Sequence, residues 1–238
     1  MKYKEIWKVY SKVFDLQTFK NLEYLEKSGY IRESLIPISE GKESIVFKAE
    51  SSVGYVAVKI YKVMNISYRR QYEYLLADPR FRKFPRTRIG VIYTWVKKEF
   101  SNLTRLYKSR VSVPMPIAFR GNVLVMEWIG EESPAPQLKN LLPQKNEKLF
   151  ERIVREYKRF VNNAKLVHGD LSEFNILIYN EIPYIIDVSQ AIPLCEESLK
   201  WLERDIKNLV VIGKKLGVEL DYQTIFQNIV SYYPVLKR

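Results

Sequence analysis

Leu166–Leu177 reads LVHGDLSEFNIL, and Tyr184–Gln190 reads YIIDVSQ. Together they place Asp170, then Asn175 five residues on, then Asp187 twelve further at the end of an apolar run. An Asp and an Asn at the two ends of a short loop, facing an Asp on the next strand, can converge on a divalent ion. Magnesium takes oxygen ligands, few from protein and the rest from phosphate and water, and Asn175 and Asp187 supply that first kind. Asp170 is then left to accept a proton or to orient a nucleophile. Taken alone, an Asp or Asn in a loop is more often a turn-former. The ordered pattern H-G-D-x-x-x-x-N followed by an apolar strand ending in Asp is far more specific.

Three stretches upstream complete the pattern. In YVAVKIY (residues 55–61), alternation sets Val56, Val58 and Ile60 on one face and Ala57 and Lys59 on the other. A lysine amid apolar neighbours is costly to bury unless it meets anions, and the small Ala57 beside it leaves room for a flat ring. Phosphates and an adenine would satisfy both. On a helix starting near Val91, Ile92, Val96, Leu103 and Leu106 form an apolar stripe that Glu99 shares. An acid there either reaches solvent at the stripe's edge or finds a cation, and Lys59 is the natural partner. The hairpin SEGKESIVF (residues 39–47) precedes the lysine strand. Its Ser39, Lys42 and Ser44 can offer hydroxyl, ammonium and backbone N–H donors to phosphate oxygens, although with Gly41 as its one glycine it also reads as an ordinary hairpin turn. In this chain order the four signals are the parts of a protein-kinase-like phosphotransfer site.

The rest of the 238 residues fits that reading. Hydrophobic residues at 47% provide for a core, and 39 Lys and Arg against 27 Asp and Glu leave a net charge of +12, which calls for a polyanionic neighbour. One cysteine and one histidine exclude a disulfide scaffold and a His/Cys zinc centre. His168 reads as structural, ordering its loop by hydrogen bonding. No membrane span or signal peptide is legible, so the expectation is a soluble cytoplasmic protein with no membrane partner. Asp15 caps a helix carrying Phe19, Leu22 and Leu25, with Gly29 as its stop. Three antiparallel strands follow from Leu35, then a basic stretch of weak periodicity read as a surface insertion, the Glu99 helix, two strands near Met115–Phe119 and Asn122–Trp128, and a mainly helical remainder. Strands first and helices later give an α+β, two-lobed, protein-kinase-like fold. The expected division is a helical extension over 1–34, an N-lobe of antiparallel sheet plus one helix over 35–128 with the insertion at 65–90, and a reduced C-lobe over 129–238.

SEGKESIVFKA, VAVKIYK, LVMEWIGEESPAPQLKN, LVHGDLSEFN and YIIDVSQA resemble the RIO atypical protein kinases, and within them the Rio-one subfamily, from about Val13 to Leu209. DVSQ, where ordinary kinases have D-F-G, is the most specific element. The resemblance implies ATP with Mg2+ (or Mn2+) as cofactor, Lys59 on the α/β-phosphates paired with Glu99, Asp170 as base, Asn175 and Asp187 on the metal, and Ser44 with its hairpin over the phosphates. It implies Met126 guarding the adenine pocket, with backbone groups of Glu127 and Ile129 on the adenine edge. It also implies an ATPase mode in which Asp187 takes the γ-phosphate. The stretch 188–238 is too short for an activation segment and peptide-binding helices together, so the C-lobe is expected to lack an activation segment. A sister subfamily carries an N-terminal winged helix for which 1–37 is too short, which points to Rio-one.

The resemblance places the activity, serine/threonine kinase or ATPase, in maturation of the small ribosomal subunit, with pre-ribosomal RNA and proteins as partners and no DNA. The basic run from Arg69 to Arg88 suits phosphate contacts on RNA, and reads equally as a solvated surface. Two other functions share the site residues. One is a small-molecule phosphotransferase of aminoglycoside or choline kinase type, against which the short tail and the Ser-Gln after Asp187 argue. The other is an assembly factor gated by nucleotide with little phosphoryl transfer.

Overall fold

The computed structural model describes residues 8–10, 14–32, 34–63, 68–81 and 83–230. Parts of the stretches assigned above, namely 1–7, 11–13, Glu33, the start of the insertion at 65–67, Arg82 and the tail 231–238, lie outside the described residues. The chain forms two compact units, Met1–Ser101 with Met115–Trp128, and Asn102–Pro114 with Ile129–Arg238.

In the first unit, α1 (Leu16–Lys27) begins where the Asp15 carboxylate accepts from the Thr18 N–H at 2.8 Å, and it stops before Gly29, whose φ of +80° most residues avoid. Its Phe19, Leu22 and Leu25 are buried against one face of a sheet. That sheet contains β1 (Leu35–Glu40), β2 (Ser44–Ser51) and β3 (Gly54–Tyr61). Ile45, Phe47, Val56, Val58 and Ile60 belong to the same apolar cluster as α1. Alternation therefore turns Ala57 and Lys59 to the opposite face, as YVAVKIY suggests. β1 is an edge strand with a register shift between Pro37 and Ser39, where a residue without an N–H is tolerated.

The basic stretch departs from the sequence expectation. Tyr68–Ala77 is a helix, α2, followed by a single 3-10 turn at Pro79–Phe81. Charge hides its periodicity, but Leu75 is buried, and so is Asp78, which takes a two-pronged contact from Arg80 at 2.9 and 2.7 Å. Lys98, on the following helix α3 (Arg88–Lys108), lies fully buried 3.8 Å from the same carboxylate. Burial brings the Lys98 ammonium down from its ordinary 10.5 to about 7, against the pull of Asp78. Between about pH 7 and 10 the unfolded chain then binds more protons than the native one, so stability rises with pH in that window. Lys98→Met is expected to flatten the rise and to raise Tm near pH 7 by a few degrees. Thermal denaturation from pH 6 to 10 checks this; an unchanged slope would clear Lys98 of the effect.

β4 (Pro116–Arg120) and β5 (Val123–Glu127) complete the sheet in the order β1-β2-β3-β5-β4, every neighbouring pair antiparallel. The boundary between units falls within α3, after Ser101.

The second unit is mainly helical. α4 (Glu147–Asn162) starts at Asn146, whose side chain accepts from the Leu149 N–H at 3.0 Å. It packs with two later helices, and its Phe150, Ile153, Tyr157 and Phe160 are buried. Short strands β6 (Leu166–Val167), β7 (Ile176–Tyr179), β8 (Ile182–Ile185) and β9 (Ile192–Pro193) pair as β6 with β9 and β7 with β8. The helices α5 (Leu199–Lys215) and α6 (Tyr222–Val230) follow. Among the described residues no helix is long and apolar enough to cross a membrane.

Candidate active site

In the first unit, β3 pairs register by register with β2 and β5, setting Lys59 opposite Val46 and Leu124, and Ala57 opposite Met126. The Lys59 ammonium donates to Glu99 Oε1 at 2.7 Å, and both side chains are almost fully buried. The strand and the helix thus bring together the two residues that periodicity singles out. Tyr61 adds what sequence reasoning missed: its hydroxyl donates to Glu99 Oε2. It follows Lys59 by two residues and so shares its face of the strand, a signal that was present in the alternation.

Ser39 and Lys42 are exposed and Ser44 is half-buried, all at the β1–β2 hairpin. The Gly41 N–H closes its turn onto the Ser44 carbonyl. The hairpin is braced from outside by Lys62, which donates to Glu40 at 2.6 Å, and by Gln71 of α2, which donates to Glu43 at 3.3 Å. Met126 and Glu127 are half-buried at the end of β5. The Glu127 N–H donates to the Met115 carbonyl. In the second unit, the Ile129 carbonyl accepts from the Ala135 N–H. Each of these two residues therefore has one backbone group already engaged.

The second unit also holds Asp170, Asn175 and Asp187. Gly169, at φ +79°, turns the chain just before Asp170. His168 is fully buried; its Nδ1 accepts from the Asp170 N–H at 3.2 Å and its Nε2 lies 3.1 Å from the Ile186 carbonyl. An accepting Nδ1 leaves the ring proton on Nε2, which then donates to that carbonyl. The histidine thus ties the backbones of Asp170 and of the residue before Asp187, a structural service. Asn175 donates from Nδ2 to the Asp170 carbonyl at 2.9 Å, and the Ile186 N–H donates to the Asn175 carbonyl. Asp187 does not end a strand as expected. β8 stops at Ile185, and Asp187 sits two residues beyond, exposed, with φ and ψ both 56°, opening a 3-10 turn at Val188–Gln190. The left-handed backbone re-aims its carboxylate, which alternation along the strand could not foretell. Ser189 donates to Asp187 Oδ1 at 3.2 Å, and Gln190 Nε2 lies 3.4 Å from Asp170 Oδ2.

Asp205 is the second residue that the sequence reading missed. Fully buried on α5, it accepts from the Gly169 N–H, the Leu171 N–H and the Tyr157 hydroxyl at 2.8, 3.0 and 2.6 Å. The two N–H groups flank Asp170, so one carboxylate fixes that residue's backbone from below. Burial pushes the Asp205 carboxyl up, while the hydrogen bonds from these donors pull it down. An acid on the stripe Leu202, Asp205, Ile206, Leu209 was the available signal.

One carboxylate and one carboxamide oxygen fit a hard divalent ion that keeps phosphate and water ligands. Among the described residues no group of three His, Cys, Asp or Glu side chains is arranged to hold a metal ion by itself.

A family model described as the RIO domain matches residues 45–225. The chain is 37% identical over 226 residues to the RIO-type serine/threonine-protein kinase Rio1 of Haloferax volcanii, covering 93% of this chain and 77% of that protein. It is 35% identical over 233 residues to the RIO-type serine/threonine-protein kinase Rio1 of Methanocaldococcus jannaschii, covering 96% of this chain and 79% of that protein. The human serine/threonine-protein kinase RIO1 matches at 37% over 207 residues, covering 83% of this chain and 36% of the longer human protein. Among solved structures, the Rio2 kinase from Chaetomium thermophilum superposes with a TM-score of 0.63 at 19% identity, over 87% of this chain and 66% of that one. A crystal structure of that kinase as an ADP/Mg2+-phosphoaspartate complex gives 0.58 at 22% identity, over 87% and 65%. These two likenesses are of fold, and they agree with the α+β kinase-like class expected from the sequence. The matched domain and the relatives at 35–37% identity establish that the chain belongs to the RIO family of atypical serine/threonine-protein kinases.

Proposed function

We propose that this kinase transfers the γ-phosphate of Mg2+–ATP, with both sets of residues described above serving that one reaction. Lys59, held by Glu99, contacts the α- and β-phosphates, and Ser39, Lys42 and Ser44 donate to phosphate oxygens from the hairpin. The adenine lies by Met126, its edge recognised by the Glu127 carbonyl and the Ile129 N–H, since the other backbone group of each is engaged. Asn175 Oδ1 and the Asp187 carboxylate hold magnesium, which neutralises charge on the phosphates. Asp170 orients the acceptor and, where that is a serine hydroxyl or the water that hydrolyses an acyl phosphate, takes its proton.

The observation that carries this reading is the buried 2.7 Å ion pair of Lys59 with Glu99. An ammonium fixed so far from bulk water has its use in gripping anions. The acceptor is a serine hydroxyl or the Asp187 carboxylate. In the second case an Asp187 oxygen attacks the γ-phosphorus, the bond to ADP breaks, and water then releases inorganic phosphate and restores the carboxylate. A phosphoaspartate named in a related kinase's structure supports that arm.

The physiological setting we propose is maturation of the small ribosomal subunit in the cytoplasm, with pre-ribosomal RNA and proteins as partners. Arg69, Arg70, Lys83, Arg86 and Arg88 are all exposed, which suits phosphate contacts on RNA. A single-turnover reaction with γ-labelled ATP tests the chemistry. Label on serine, on a hydroxylamine-sensitive acyl phosphate, or in phosphate formed by way of one supports the reading. Transfer to small alcohols but not to protein or to Asp187, or no loss of label from ATP, overturns it.

A further inference from the structure

Asn102 lies on α3, fully buried in the second unit, in a position the phosphotransfer reading leaves without a task. Its carboxamide Nδ2 donates to two main-chain carbonyls, Val188 O and Ala191 O, each at 2.8 Å. Those carbonyls bracket the 3-10 turn that Asp187 opens, and the turn is closed on itself by the Ala191 N–H donating to Val188 O at 3.1 Å. Both hydrogens of one amide are thus spent on the two ends of a three-residue turn.

The turn has reason to need a clamp. Asp187 stands in the left-handed region at φ 56°, which residues other than glycine adopt uncommonly. A surrounding structure must over-determine such a conformation for it to persist. The turn also carries Ser189 and Gln190, the side chains that reach Asp187 and Asp170. Relaxing it would swing the exposed Asp187 carboxylate away from this pose.

We propose that Asn102 is a positioning residue for Asp187: by clamping the two ends of the Val188–Gln190 turn it holds the metal-binding carboxylate in its left-handed, ligating pose. This rests on the reading of Asp187 as a magnesium ligand. The apolar near-isostere Asn102→Leu removes both donors. Asn102→Asp keeps the shape but sets an oxygen against two carbonyls.

The test follows the magnesium half-saturation of ADP binding in the full chain, together with the KM for ATP at saturating magnesium and the affinity for ADP without metal. Both variants are expected to raise the magnesium half-saturation about tenfold, with KM and metal-free ADP affinity within twofold of the parent. A general loss of packing would move all three. Asn102→Ser, smaller and with a single donor, should give an intermediate rise and serves if the leucine variant does not fold. In an Asp187→Asn background, the Asn102 substitutions should have no further effect on the magnesium dependence. If Asp187→Asn raises the half-saturation and the Asn102 variants leave it at the parent value, the positioning role is overturned while the metal role stands. If Asp187→Asn itself leaves it unchanged, the metal reading falls.

Discussion

Asp170→Asn is expected to lower phosphoryl transfer by roughly 10²- to 10⁴-fold, the usual contribution of a positioned general base. The substitution is nearly isosteric, and the loop around it is held through backbone groups. The Gly169 and Leu171 N–H groups donate to Asp205, the Asp170 N–H to His168, and Asn175 donates to the Asp170 carbonyl. None of those bonds uses the Asp170 side chain. The loop should therefore keep its shape, and the loss should appear in kcat with the affinity for Mg2+–ADP unchanged. Single-turnover kinetics with equilibrium nucleotide binding separate the two. A variant retaining more than about a tenth of the parent rate would remove Asp170 from the proton path.

The second large effect concerns stability as much as activity. Lys59→Met takes away the ammonium from which Glu99 Oε1 accepts at 2.7 Å and leaves that carboxylate buried. Removing one partner of a buried pair costs about 3–5 kcal/mol, because the remaining charge keeps its desolvation penalty. Lys59→Met is thus expected to lose both stability, seen in urea denaturation, and nucleotide affinity. Lys59→Met combined with Glu99→Leu should regain much of the stability, since a pair replaced by apolar residues of like volume is often neutral. It should regain none of the nucleotide affinity. Recovery of both together would mean that the lysine served the fold and not the phosphates.

The contrast between these residues shows where a sequence speaks and where it is silent. Lys59 and Glu99 were legible because each is a charge set into an apolar pattern of known period, one of two and the other of 3.6. The same test, applied evenly, would have raised Asp205 among Leu202, Ile206 and Leu209, and Asn102 between Val96 and Leu103 and Leu106. Neither belongs to a recurring motif, and their targets are mostly main-chain groups, which leave no trace in residue identity. The α2 helix was obscured for another reason: its arginines are the solvated face, and the buried acid that anchors the segment, Asp78, comes one residue after it.

By itself the chain of residues determined the α+β class, the strand that presents the lysine, the helix that presents its acid, and the loop holding Asp170 and Asn175. Those follow from local periodicity and turn chemistry, which act over a few residues. Tertiary structure alone decided that Tyr61 completes the Glu99 pair, that Asp205 grips the loop from α5, and that Asp187 leaves its strand for a left-handed turn held by Asn102. Each of these depends on buried hydrogen bonds between positions far apart in the chain or on a backbone angle strained against its intrinsic preference. Only a packed interior makes such choices favourable, because there an unmade hydrogen bond costs more than the strain that makes it.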